Sequence, residues 1–530
     1  MNAVIHSPAS DAPFDYAAIG DVPDWRERLA WPLSYSAQFG LGQSLSQRIV
    51  ETISKQGDPD LQRIALMAAG SIFASCLPIL ETCLAVIHQS EQGRRFVGRA
   101  PQMSYIQFDK ANLPPPNGDA TFLAISKPRW ITLRRLVRVA EWSSISRIRR
   151  AYYQPTAVAI SHNPLLRECA KRTDALIGFC HSEVIFANCL SNKIQTSNDW
   201  QLLVDKFINA LFFGFDFDDS RVVRAIYLAT REVEWWLERA SNSLAAVRSV
   251  QNFPDEIWSG SAGYWPTRAI SLEVKRRGGK VRRFDHSGGI GLNTLHHFWQ
   301  FGEFSLSSVY TVATPELARR VVATGATKNL PVQGTVEIKG AAGDPQLRTM
   351  MSIKRMKKGT RQRVLYLPLP LFGFRQVMPP LMPDLISLDW QMRILEMMLE
   401  FDMDLSCRPH PEGILKGQRH PLAHIAPVSP QSFEKHIEAT DVFVFEYIQS
   451  TAFYEALCTD RRIVLIDMGL PIMIGDAREM LERRCRIVRA YYDECNRPHV
   501  DRLELAEAIL GYGDDGDPSE FWHLLVGDLQ

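Results

Sequence analysis

The chain has 530 residues, 46% apolar and 22% charged, with 60 Lys and Arg against 59 Asp and Glu. That length is too great for one ordinary core and predicts two large units or about three smaller ones. The net charge of +1 leaves the whole-protein field silent about partners, so local charge carries that argument. Nine cysteines, Cys76, Cys83, Cys169, Cys180, Cys189, Cys407, Cys458, Cys485 and Cys495, include no CxxC pair. The odd count and the apolar runs around several of them argue for reduced, buried thiols in a cytosolic protein, against a disulfide framework or zinc site.

Met1 to Asp15 holds acids, prolines and no apolar core, so it does not read as a secretory signal. Ile64 to Ile87 is apolar and nearly long enough to span a bilayer, but Pro78, Glu81 and three hydroxyl residues interrupt it. A mid-span carboxylate in lipid costs several kcal/mol, so a buried helix of a globular unit is expected. The stretch 61–245 reads as mostly helical: Asp199 to Phe213 and Ser220 to Val250 repeat apolar residues every three or four positions. Within it, 127–153 gathers Lys127, Arg129, Arg134, Arg135, Arg138, Arg147, Arg149 and Arg150 against Glu141 alone, with Trp130, Trp142, Tyr152 and Tyr153 interleaved. That mixture suits an anionic membrane surface or a polyanionic acceptor; no nucleic-acid motif accompanies it. A solvated helix face over a core is the plainer alternative.

Near residue 254 the texture changes. Asp255 to Ser261 reads as a strand, Pro266 to Arg277 as a helix closed by Gly278-Gly279, Lys280 to Phe284 and Ser308 to Ala313 as strands, and Pro315 to Ala323 as a helix. Residues 341–362 are loop-like and then basic, and read as a linker. A second alternating series follows: strands Val364 to Leu369, Met403 to Cys407, Val442 to Tyr447 and Ile463 to Asp467, with helices Asp384 to Phe401, Ser432 to Ala439 and Thr451 to Cys458. Two successive Rossmann-like units are therefore expected, with ligands outside the carboxyl ends of their strands. The expected organisation is a mostly helical region 1–250, a Rossmann-like unit 251–340, alone or with parts of 1–250, the linker 341–362, and a Rossmann-like unit 363–530 with C-terminal helices.

Three motifs lie at such strand ends. Asp285-His286-Ser287-Gly288-Gly289 places an imidazole suited to accepting a proton near neutrality beside glycines that tolerate positive φ and let a ligand approach the backbone. Asp285 either orients that ring or is itself the base. Arg408-Pro409-His410-Pro411 holds a histidine rigidly between two prolines next to a permanent cation. Ser450 and Thr451 open a short helix, where hydroxyls cap the helix or bind an anion, with Glu455 one turn on. The strings Asp216 to Asp219 and Asp402 to Asp404 have DxD spacing but read as a helix terminator and a strand entry at the end away from a cleft.

The run from Ala439 through Ser450-Thr451 and Glu455-Ala456-Leu457 to Ile466 resembles the donor domain of GT-B glycosyltransferases that build bacterial surface polysaccharides and capsule. Arg408-Pro409-His410-Pro411 resembles the His-Pro motif of sialyl-, Kdo- and glycerophosphate-transferring members, which use CMP- or CDP-linked donors. Asp285 to Gly289 is similar to the His-Gly turn on the acceptor side of CDP-glycerol transferase-like proteins, with Ser287 inserted and Thr451 in place of a second serine. The resemblance covers about 255–470. It implies an α/β, GT-B-like fold with a cleft between two Rossmann-like domains, and an inverting, metal-independent transfer from a nucleotide-linked sugar, CMP-linked by preference, to a glycan or lipid-linked acceptor. It further implies donor phosphates on Arg408, His410, Pro411, Ser450 and Thr451, ribose or base on Glu455, proton removal by His286 or Asp285, an acceptor loop at Ser287, Gly288 and Gly289, and no cofactor or metal. The place implied is the cytoplasm, at the inner membrane if 127–153 binds it. Glycerol- or ribitol-phosphate transfer from a CDP-linked donor and a non-catalytic glycan-binding module are the alternatives.

Overall fold

The computed structural model describes residues 11–108, 113–116, 131–190, 198–251, 253–260, 263–286, 288–332, 334–356, 359–373, 382–411, 413–469 and 473–527. Ser261, Ser287, Lys357, Lys358, Glu412 and the Lys127, Arg129 and Trp130 of the basic segment lie outside the described residues.

α1 (Tyr35–Ser54) and α2 (Pro59–Glu91) start on side-chain caps: Ser34 accepts the Ala37 N–H, and Asp58 accepts those of Asp60 and Leu61 with Pro59 at the first helical position. α2 contains the apolar stretch 64–87. By length and composition it could cross a membrane, but 72% of its most apolar window is buried inside the protein. α3 (Ile131–Trp142) and α4 (Ile145–Tyr153) form a hairpin, followed by β1 (Ala157–Ala159), α5 (Pro164–Arg172) and β2 (Ile177–Phe179). α6 (Ser220–Arg248) packs along α2. Its Trp236 donates to Ser75 Oγ at 2.9 Å in that buried seam.

The stretch 61–245 is mostly helical, as its periodicity predicts, but it also holds β1 and β2, which the sequence reading does not find. Each has three residues, too few to leave a period-two signature between helices. They are nevertheless the first two strands of a six-stranded sheet, completed by β3 (Glu256–Ser259), β4 (Lys280–Phe284), β5 (Val309–Val312) and β6 (Glu337–Gly340). Its order is β2-β1-β3-β4-β5-β6, every pair parallel. α7 (Trp265–Arg276) links β3 to β4, and α8 (Pro315–Ala323) links β5 to β6.

The stretch 341–362 is more than a linker. Asp344 caps α9 (Pro345–Met351), and Leu347 and Met350 on that helix are buried. A second parallel sheet then forms from β7 (Gln362–Leu367), β8 (Met403–Cys407), β9 (Val442–Phe445), β10 (Arg462–Asp467) and β11 (Arg486–Arg489), in the order β8-β7-β9-β10-β11. α10 (Asp384–Leu399), α11 (Thr451–Leu457) and α12 (Gly475–Arg484) connect its strands. β9, Val-Phe-Val-Phe, is buried throughout, as a strand covered on both faces must be. Of the helix read at Ser432 to Ala439, only Glu434–Ile437 is helical.

The two sheets share apolar core. Ile290, Leu292 and Val312 beside the first belong to one buried cluster with Phe445, Phe453, Tyr454 and Leu457 of the second. The Ile474 N–H donates to Leu292 O at 3.0 Å across the seam. The C-terminal segment returns to the first sheet, where Thr314 Oγ1 donates to Leu524 O at 2.6 Å.

Candidate functional site

In the second sheet the chain order reverses between β7 and β9, and a crevice at their carboxyl ends is what such a topology leaves open. A cleft of about 270 Å³ occupies it. Leu367 ends β7 and Pro368 and Pro370 follow it, Arg408, His410 and Pro411 follow β8, and Phe445 ends β9, with Tyr447, Ser450 and Thr451 after it. Glu455 of α11, Glu434 and the Gln346 of α9 complete the lining. All six residues read as donor-binding thus meet in one cleft.

Arg408 is anchored through its Nε to Gln431 O at 2.8 Å. Burial depresses its guanidinium, and Glu434 and Glu455 pull the other way. Ser450 caps α11, accepting the Phe453 N–H at 3.2 Å, so its capping role is real. A capping hydroxyl still has its own proton to donate. Glu455 is pushed up to about 8, first by burial and then by Glu434, while the Gln346 amide donates to its carboxyl. A largely protonated carboxyl near neutrality adds little negative charge to a cleft that also holds Arg408 and His410.

Two acids that sequence reasoning missed fix the segment after β7, whose Pro368 and Pro370 line the cleft. Glu446 directly follows β9 and accepts from Tyr366 Oη at 2.5 Å, Trp390 Nε1 at 2.5 Å and the Leu369 N–H at 2.7 Å. Burial raises it to about 7. Asp384 at the start of α10 accepts the N–H groups of Phe372 and Gly373 at 2.9 and 2.6 Å, and burial raises it to about 7. Together they hold the segment after β7 in place. An acid that interrupts a continuous apolar run at a strand's carboxyl end, as Glu446 does after Val442 to Phe445, is the signal that marks such a residue.

At the carboxyl end of β4 the two candidate bases part. His286 is exposed. Asp285 is 3% exposed and accepts the Gly288 N–H at 3.0 Å and the Tyr310 hydroxyl at 3.2 Å. Its carboxylate holds the turn. Gly288, at φ +75°, satisfies the expected left-handed backbone, but both glycines face a different neighbour from the one expected. A Cβ on Gly289 would lie 2.7 Å from Tyr454 Oη, and one on Gly288 3.3 Å from its ring. The turn is glycine-rich because the α11 tyrosine packs against it. Neither His286 nor Asp285 lines the cleft between β7 and β9; Tyr454 of α11 packs on the turn while the next residue, Glu455, lines the cleft.

A second histidine shares the rim of the first sheet. His162, after β1, places Nε2 3.2 Å from Glu141 Oε2 and stacks on Trp142. Burial and Arg138 hold its imidazole below the usual value, against the pull of Glu141. The neighbouring Asn163 amide donates to Phe284 O and Asp285 O at 3.0 and 3.1 Å, tying the end of β1 to the His286 turn. The sequence signal was the Ser-His-Asn-Pro step after Ala157 to Ile160; the short strand before it hid its meaning.

The acidic strings are structural. Asp219 caps α6 and pairs with Arg221, and Asp402 and Asp404 face Arg361 at the amino end of β8. The sequence matches no protein-family model, and no curated protein sequence aligns with it significantly.

Proposed function

We propose that the protein is an inverting, metal-independent glycosyltransferase of the GT-B type, working in the cytoplasm with a nucleotide-linked sugar, CMP-linked by preference, and a glycan or lipid-linked acceptor of surface polysaccharide. One observation carries the reading: Arg408, His410, Pro411, Ser450, Thr451 and Glu455, drawn from two separate segments, line a single cleft at the reversal point of a parallel sheet. In this reading the acceptor hydroxyl attacks the anomeric carbon as the bond from that carbon to the donor phosphate breaks. Arg408, His410 and the Ser450 hydroxyl take up the charge left on the phosphate. The proton goes to His286, since Asp285 is occupied in holding its turn. The same cations would serve glycerol- or ribitol-phosphate transfer equally well, because they address phosphate rather than sugar; product mass separates the two reactions.

Nucleotide binding tests the reading. Thermal unfolding with CMP, CDP, UDP and GDP should show one nucleotide stabilising the protein, by about 2.7 kcal/mol at a hundredfold excess over Kd. Arg408→Ala and His410→Ala should abolish the response. Silence toward all four nucleotides in the unmodified chain would remove the transferase reading and favour a glycan-binding module. With a donor in hand, His286→Ala should lower kcat about a hundredfold or more with little change in donor affinity. If His162→Ala does so instead, the base is in the loop after β1.

A further inference from the structure

The α3–α4 hairpin is built for two different neighbours. Its inner side is protein: Val139, Trp142 and Ala151 are buried with Leu165, Leu166 and Ile177, and Trp142 donates its indole N–H to Ile177 O at 2.9 Å. Three of its arginines are spent on that fit. Arg138 pairs with Glu141 at 2.8 Å, Arg147 donates to the carbonyls of Thr173 and Ala175 after α5, and Arg135 lies 4.4 Å over the Tyr152 ring.

The outer side has no such account. Ile145 is 91% exposed, Tyr153 73%, Val137 50% and Leu136 43%. Arg149 and Arg150 are exposed and make no ion pair among the described residues. Ile145, Arg149 and Tyr153 are spaced four residues apart and so stand on one row of α4. Of the six arginines in 131–153, Arg149 and Arg150 stand exposed on this side, and the segment's one acid, Glu141, is paired with Arg138. We propose that this face seats the protein on an anionic lipid bilayer.

The charge complementarity is direct: guanidinium groups pair with lipid phosphates while aliphatic and aromatic side chains beside them enter the headgroup–acyl boundary. A nucleic-acid backbone would use the arginines but leave Leu136, Val137 and Ile145 in water. The seat stands on this surface alone.

Flotation of the full chain with vesicles of phosphatidylcholine, alone or with about a third phosphatidylglycerol, tests the seat, and nucleotide-induced stabilisation of the same preparations keeps a failure here distinct from a failure of the donor site. Binding should need the anionic lipid and weaken in 0.5 M salt as charges are screened (roughly a 4 Å Debye length). An Arg149→Glu, Arg150→Glu double variant should lose about thirtyfold or more in partitioning. Ile145→Ser with Tyr153→Ser should weaken vesicle binding and leave binding to a short DNA duplex unchanged. No flotation at low salt, equal flotation on neutral vesicles, or wild-type flotation of the arginine variant would each overturn the proposal, as would duplex DNA binding tighter than the anionic vesicles.

Discussion

Glu455 shows how one residue's surroundings set its use. Its carboxyl is pushed up to about 8 by burial and then by Glu434, against about 4.3 in an unfolded chain. Between those values the folded state binds more protons than the unfolded state, so folding stability falls as pH rises through the window. Glu455→Gln keeps the size and the Gln346 neighbour but cannot ionise. The variant should match the parent near pH 5 and exceed it near pH 8, by on the order of 2 kcal/mol, in paired urea melts. Equal stability at both pH values would show that the carboxyl ionises freely in the cleft. Glu446 and Asp384, both raised to about 7, give the parent and the variant the same background slope, so the difference between the two isolates position 455.

At the scale of elements, the turn from Asp285 to Gly289 is where sequence and structure divide most usefully. Glycine, histidine and a strand end were legible, and β4 has the same bounds, Lys280–Phe284, that its residues predict. The partner was not legible, because Tyr454 lies 165 residues further on and nothing local marks it. A methyl on Gly289 would meet Tyr454 Oη at 2.7 Å, and that hydroxyl has no hydrogen-bond partner among the described residues. Gly289→Ala should therefore cost about 1–3 kcal/mol through overpacking. Tyr454→Phe should recover a large part of that cost in the double variant, a coupling that a thermodynamic cycle reads directly. Additive effects would mean the turn's glycine serves something other than this contact. The same length argument covers the missed strands: β8, with five residues, was found with its bounds unchanged, whereas β1 and β2, with three each, carry too little pattern to stand out between helices.

Across the whole molecule, the alternation of strands and helices after residue 254 identified three of the six strands of the first sheet and four of the five of the second, since that pattern is local. How the sheets meet is a matter of side chains far apart in sequence, and there the structure adds most. Ile290 and Leu292 share buried core with Phe453 and Leu457, the C-terminal segment bonds back to Thr314, and Gln346, from the stretch read as a linker, lines the cleft of the second sheet. Domains joined by a small polar contact unfold separately; sheets that would each expose part of a common core on parting do not. Calorimetry should therefore give one transition whose calorimetric and van't Hoff enthalpies agree, and a bound nucleotide should shift that whole transition upward. Two peaks, only one of them moved by nucleotide, would show that the cleft reports on the second sheet alone and that the shared cluster is too weak to couple the halves.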